Sequence, residues 1–204
     1  MTLPDHPRRA SCAACLRPQS ACICRWVTAV RPGAALLILQ HPLEVANAKN
    51  SARLLHLSVP GSVLAVGEAF DGAELDALLH ADGRIPVLLY PETPDAPGAA
   101  GGPGLPPAAG LRLVVLDGTW RKSRKMLHLN PALQRLPRLA LRNMPASGYR
   151  IRKAHAPDQL STLEATAHAL GQVEGDPVRY QALFAAFEGF VGQQAAFVPR
   201  LKSR

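Results

Sequence analysis

Four cysteines, Cys12, Cys15, Cys22 and Cys24, fall within thirteen residues in the spacing C-x2-C-x6-C-x-C, and the 180 residues that follow contain none. Thiolates at that density suit a tetrahedral site for a soft divalent ion, zinc above all. Pro18, with Arg17 and Gln19, supplies a turn that brings the two pairs together. Four sulfur donors leave no coordination position open, so the expected role is structural. A redox pair or idle thiols are the alternatives.

A second chemistry centres on Asp117-Gly118-Thr119-Trp120, directly after an apolar run. A carboxylate there reads either as a base or orienting group, or as the cap of the following helix. Gly118 lets a ligand approach the backbone. Trp120 reads as a stacking surface or as packing. Two further strand ends carry distinctive residues, Gln40-His41-Pro42-Leu43-Glu44 and Leu89-Tyr90-Pro91. Ser161-x-x-Glu164 has capping-box spacing, and a helix start also offers free N–H groups to a carboxylate. There is no G-x-G-x-x-G fingerprint and no P-loop. His41, His56, His80, His128, His155 and His168 show no metalloprotease spacing, and no nucleophile elbow is present.

The elements that must position these residues read as alternating strands and helices. Strand patterns lie at 34–40, 63–67, 87–91, 112–118 and 139–144. Helical spacing of Val45, Ala48, Ala52 and Leu55 predicts an amphipathic helix over 45–57. Further helices are expected over 74–81, 121–129, from Ser161 and over 178–197. In the last, Tyr180, Phe184, Phe187 and Val191 form an apolar stripe suited to core packing. The pattern predicts an α/β fold with a mainly parallel sheet flanked by helices, in which ligands sit beyond the carboxyl ends of strands. A flexible tail (1–10), a zinc knuckle (11–26) and a catalytic domain (27–204) make up the expected organisation. The Pro/Gly/Ala-rich stretch 92–110 reads as an inserted surface loop.

Hydrophobic residues make up 48% and charged residues 19%, which excludes a disordered chain. The longest apolar run, residues 34–39, is far short of the roughly 20 residues that span a bilayer, so no membrane partner is expected. The first dozen residues lack a secretory apolar core, which predicts a cytoplasmic protein. The net charge of +8 is local. Residues 111–156 hold eleven basic side chains and one acid, Asp117, while the rest hold twelve and fourteen. Such a segment suits a phosphate-bearing partner or is simply a solvated basic face.

Taken in order, the cysteine knuckle, HPLE (41–44), LLYP (88–91), DGTW (117–120) with the following RKSRKM, and STLEA (161–165) resemble the DTW-domain family, the bacterial tRNA-uridine aminocarboxypropyltransferases. The resemblance runs from about Cys12 to about Val198. It implies a SPOUT-like α/β fold with a C-terminal trefoil knot, S-adenosylmethionine as donor, and transfer of its 3-amino-3-carboxypropyl group to N3 of a uridine in tRNA with release of 5′-methylthioadenosine. On that basis Asp117 and Trp120 are the expected catalytic residues. Leu89, Tyr90, Pro91, Leu116, Gly118, Thr119, Ser161 and Thr162 are expected at the donor, with His41, Glu44 and Glu164 lining the site. Arg121, Lys122, Arg124, Lys125, Arg150, Arg152 and Lys153 are expected to hold tRNA. Cations near Asp117 would lower its proton affinity and favour orienting the uracil over deprotonating it. A SPOUT-type RNA methyltransferase and a non-catalytic zinc-containing RNA-binding protein are the competing readings. The sequence carries no clear dimer signature.

Overall fold

A computed structural model describes residues 10–92, 104–141, 144 and 160–197. Its centre is a five-stranded sheet in the order β2-β1-β4-β3-β5, built from β1 (Ala35–Gln40), β2 (Val63–Val66), β3 (Ile85–Leu89), β4 (Leu111–Asp117) and β5 (Arg138–Leu139). Every pairing is parallel. β4 is buried at all seven positions and β1 at five of six, as expected for strands covered on both faces.

Alternation along the strands divides the core in two. Leu36 and Ile38 of β1, Val87 of β3, and Leu113 and Val115 of β4 face one side. There they meet α1 (Ala52–Ser58), α5 (Thr162–Glu174), α6 (Gln181–Ala196) and the cysteine segment. Leu37, Leu39, Leu88, Val114 and Leu116 face the other side, against α2 (Gly72–His80), α3 (Trp120–Leu129) and α4 (Pro131–Gln134). Tyr180, Phe187 and Val191 are buried in the first core, so the stripe of the last helix is packing.

Two expected elements are shorter than the sequence pattern suggests. The helix over 45–57 is only α1, because asparagine side chains divert the backbone before it. The Oδ1 of Asn47 accepts the Lys49 N–H at 3.0 Å, and that of Asn50 accepts the Ala52 N–H at 2.9 Å. Such local bonds compete with a helix. Among the described residues the fifth strand covers Arg138–Leu139, and residues 142 and 143 of the expected 139–144 lie outside them. The tail through residue 9, residues 93–103 of the expected loop, and Arg150, Arg152 and Lys153 lie outside the described residues.

The cysteine segment is seated on α6. The Trp26 indole N–H donates to Gln193 at 2.6 Å, and the Gln193 amide donates to the Cys22 carbonyl at 3.1 Å. The Trp26 ring occupies the space of a side chain at Gly189, where a Cβ would lie 2.2 Å from the indole. Gly189→Ala is therefore expected to cost about 1–3 kcal/mol by overpacking, read as a lowered denaturant midpoint. An unchanged midpoint would show that the indole is not held there.

Candidate active site

Because all strands are parallel, their carboxyl ends share one edge, and there the sequence places His41, Glu68, Tyr90 and Gly118 just beyond them. Asp117 closes β4 and is 2% exposed. Its Oδ2 accepts from Gln40 Nε2 at 2.8 Å and Asn50 Nδ2 at 2.6 Å, and its Oδ1 accepts from the Thr162 hydroxyl at 2.7 Å. Three neutral donors from β1, the loop before α1 and the start of α5 thus converge on one carboxylate. Among the described residues no cation pairs with it. Burial pushes its pKa up, only partly opposed by the Gln40, Thr162 and Asn50 hydrogen bonds, and Glu44 adds repulsion. This corrects the expectation that cations depress it. Nor does Asp117 cap the next helix, since the Thr119 hydroxyl does so by accepting the Lys122 N–H.

The cations of α3 are engaged with other acids. Lys122 Nζ binds Glu44 at 2.7 Å, and Asn47 donates to the other Glu44 oxygen at 2.8 Å. Lys125 binds Glu68 at 2.8 Å. Glu68 also receives His41 Nε2 at 2.8 Å, while His41 Nδ1 accepts the Leu43 N–H, which fixes the imidazole proton on Nε2. The Lys125 and His41 bonds hold the Glu68 carboxyl below its usual range. Arg121 and Arg124 are exposed on the same helix, so the basic face is real there. Arg112 does not belong to it, being 4% exposed and bonded to Asp82 Oδ1 and the Ala81 carbonyl, each at 2.7 Å.

A small open cleft of about 70 Å³ lies over Asp117, lined by Glu44, Asn47, Lys49, Asn50, Ser51, Gly118, Ser161 and Thr162. Gly118 packs closely against the first turn of α3, where an added Cβ would lie 3.0 Å from Lys122 Cβ. Ser161 and Glu164 form the expected capping box. The first-turn amides expected to receive a carboxylate are largely taken, Leu163 N by Ser51 Oγ and Glu164 N by Ser161 Oγ. Leu89, Tyr90, Pro91, Leu116, Thr119 and Trp120 are not in the lining. Leu89 and Leu116 pack in the two cores. Tyr90 and Trp120 form an edge-to-face pair, ring centroids 5.8 Å apart, with Trp120 half exposed. The expected site thus divides into a polar cleft and an aromatic pair.

Asn47, Lys49, Asn50, Ser51 and Glu68 do not stand out by type or spacing, and Gln40 stands out only as a strand-end residue, not as a partner of Asp117. The asparagines were hidden by the helical pattern over 45–57. Glu68 has a usable signal, an acid directly after the strand pattern over 63–67.

The four sulfurs lie within 4.8 Å of one another, with Cys12–Cys24 at 3.6 Å and Cys15–Cys22 at 3.8 Å. Tetrahedral Zn–S bonds of about 2.3 Å put sulfurs about 3.8 Å apart, so the donor set fits zinc. Backbone N–H groups of Cys15 and Ala14 favour the Cys12 thiolate and lower its pKa to about 6, whereas burial raises that of Cys24 to about 12. Between the pairs, Arg17 Nη2 donates to the Asn50 carbonyl at 2.8 Å, and Nη1 to that of Ala48. The knuckle therefore grips the loop that delivers Asn50 to Asp117.

Together these features define a three-layer α/β protein with a ligand cleft around a buried carboxylate at the strand ends and a separate four-cysteine cluster. The DTW domain model matches residues 9–195, and the chain belongs to the DTW domain family. It is 32% identical over 192 residues to tRNA-uridine aminocarboxypropyltransferase 2 of Drosophila melanogaster, covering 88% of this chain and 73% of that protein. Proteins of the same name from Mus musculus and Macaca fascicularis are 31% and 28% identical. Those alignments cover 82% and 84% of this chain but only 57% and 60% of the relatives. No solved structure matches the chain.

Proposed function

We propose that the protein transfers the 3-amino-3-carboxypropyl group of S-adenosylmethionine to N3 of a uridine in tRNA, releasing 5′-methylthioadenosine. Membership of the DTW family and the name shared by its relatives support this reading. The observation that carries the chemistry is the buried Asp117 held by three neutral donors. Uridine N3 is a poor nucleophile while protonated. A carboxylate whose proton affinity is raised by burial is a better acceptor for that proton than one paired with a cation. In the transfer, N3 gives its proton to Asp117, the bond from N3 to the γ-carbon forms, and the carbon–sulfur bond breaks with its electron pair moving to sulfur. The donor supplies an activated carbon, and this chain supplies alignment and the base.

Trp120 and Tyr90 would stack on a splayed base or on the adenine. Leu89, Pro91, Leu116, Gly118 and Thr119 would shape the donor pocket around them, and Ser161 and Thr162 would border its amino-acid arm. His41, Glu44 and Glu164 would keep the wall in register. Arg121, Lys122, Arg124 and Lys125, together with Arg150, Arg152 and Lys153, would hold phosphates of tRNA. The cysteine cluster would carry structural zinc, since its sulfur spacing suits that ion. We also assign a SPOUT-type knot, a catalytic domain over 27–204 bearing the knuckle over 11–26, a tail over 1–10, an inserted loop over 92–110, and a cytoplasmic location. No described helix is long and apolar enough to cross a membrane.

Incubation of the protein with S-adenosylmethionine and tRNA is expected to yield methylthioadenosine in equal amount to a uridine heavier by the aminocarboxypropyl group. S-adenosylhomocysteine would identify a methyltransferase instead. Binding of tRNA without donor consumption would identify a non-catalytic RNA-binding protein.

A further inference from the structure

Asp117 is nearly sealed from solvent, and its three hydrogen-bond partners differ in what they can pass on. Gln40 and Asn50 donate through side-chain amide NH2 groups, which give a hydrogen bond but do not shuttle a proton. Neither amide is free to turn. The Oδ1 of Asn50 is held by the Ala52 N–H at 2.9 Å, and Gln40 Nε2 reaches that same oxygen at 3.2 Å. Thr162 donates through a hydroxyl, a group that gives one proton and accepts another.

The partners also sit on different oxygens. Both amides fill Oδ2, at 2.8 and 2.6 Å. Among the described residues Oδ1 has Thr162, at 2.7 Å, as its one partner. A carboxylate oxygen offers about two acceptor sites, so Oδ2 is filled and Oδ1 is the atom able to take a proton.

The hydroxyl stands between that atom and the cleft. Ionised Asp117 only accepts, so the Thr162 O–H must point at Oδ1 and leave its own lone pairs for another donor. Among the described residues none donates to them. Thr162 is part exposed and lines the cleft, whereas Asp117 lies behind it at 2% exposed. Its place is fixed in advance. Thr162 opens α5 directly after Ser161, whose capping box with Glu164 sets that turn, and the next amide is held by Ser51 Oγ at 3.3 Å. Branching at Cβ stiffens the side chain further.

We propose that the Thr162 hydroxyl relays the proton of uridine N3 to Asp117 Oδ1. This deepens the transferase reading and rests on it. As N3 closes on the γ-carbon, its N–H bond breaks and the proton passes to Thr162 Oγ1. The Oγ1–H bond breaks in the same step, and that proton passes to Oδ1. The electron pair freed at N3 makes the bond to carbon, and the carbon–sulfur pair leaves with sulfur. Thr162 stays a neutral hydroxyl throughout, so its own weak acidity is no obstacle. Asp117 ends as a neutral acid, the form that burial favours. The proton returns by the same path once the product has left.

Single-turnover formation of methylthioadenosine by the full chain, at saturating donor and tRNA and across pH, tests the relay. Thr162→Val keeps the shape, removes the hydroxyl and leaves the Ser161–Glu164 box in place. Its rate on the alkaline plateau is expected to fall about 10²-fold, with donor and tRNA affinities within a few-fold of wild type. Thr162→Ser is expected to recover most of that loss. In mixtures of H2O and D2O the wild-type rate is expected to trace a curved proton inventory, because two protons move in one step. A Thr162→Val plateau close to wild type would overturn the relay and place N3 directly on Oδ1. Loss of donor affinity matching the loss of rate would overturn it by making Thr162 a binding residue. A serine variant no faster than the valine variant would overturn it in favour of packing by the methyl group. A straight or flat inventory would overturn it in favour of a hydroxyl that only orients Asp117. Each of these leaves the transferase reading standing, whereas a wild-type protein that forms no methylthioadenosine would overturn that reading and the relay with it.

Discussion

Asp117→Asn is expected to lower turnover by about 10²- to 10⁴-fold while leaving tRNA affinity and the fold in place. The substitution preserves shape. Its amide oxygen replaces the carboxylate oxygen that accepts from Gln40 and Asn50, and its NH2 meets the Thr162 hydroxyl, which turns to accept. Only the capacity to take a proton is lost. Single-turnover formation of methylthioadenosine, with tRNA binding measured in parallel, separates the two effects. Turnover within a few-fold of wild type would remove Asp117 from the proton transfer.

The pH profile carries the same argument with a definite sign. Burial raises the Asp117 pKa, so the activity limb governed by it rises with pH above the ordinary carboxylate range. Thr162→Val removes a donor that favours the ionised form and should move that limb further toward alkaline pH. In stability the linkage runs the other way. The folded chain holds this proton more tightly than the unfolded one, so the contribution is full in acid, below the unfolded pKa, and is lost as pH rises through the folded value.

The second large effect concerns the sulfur cluster. Cys15 is 2% exposed and belongs to the same core as β1, α5 and α6. Cys15→Ser is expected to abolish stoichiometric zinc and to lower stability by several kcal/mol, because metal binding to such a site is folding free energy. Turnover should fall too, although no cysteine faces the cleft. The route is Arg17, which ties the knuckle to the Ala48 and Asn50 carbonyls and hence to the asparagine on Asp117. Elemental analysis, thermal melting and amide exchange over residues 47–51 would follow the three consequences. A reduced, freshly purified chain with no zinc and a melt insensitive to chelators would count against the metal.

Much of this architecture could be read from residue order. Apolar runs bounded by turn residues located β1, β3 and β4, because strands buried on both faces show themselves as continuous hydrophobic stretches; β2 carries the same pattern at a more exposed edge, and β5 meets the expected strand only at Leu139. The capping box at Ser161 and Glu164 was visible from spacing, and DGTW marked the end of β4. The loop before α1 carries a misleading signal, because Val45, Ala48, Ala52 and Leu55 keep helical spacing while Asn47 and Asn50 redirect the backbone locally. Gln40 and Asn50 meet Asp117 only through tertiary packing, across sequence separations of 77 and 67. The partners of Lys122 and Lys125 were equally invisible. Net charge counts cations without saying which face an acid, so Arg112 and Arg138 were counted with the surface although both are buried.

The chain has two tryptophans, and the fold stations them at opposite duties. Trp26 is wedged between the knuckle and α6, whereas Trp120 stands half exposed beside Tyr90. Their native emission therefore offers two optical channels without any label. Single Trp→Phe replacements would let one fluorophore report seating of the sulfur cluster and the other report arrivals at the mouth of the site.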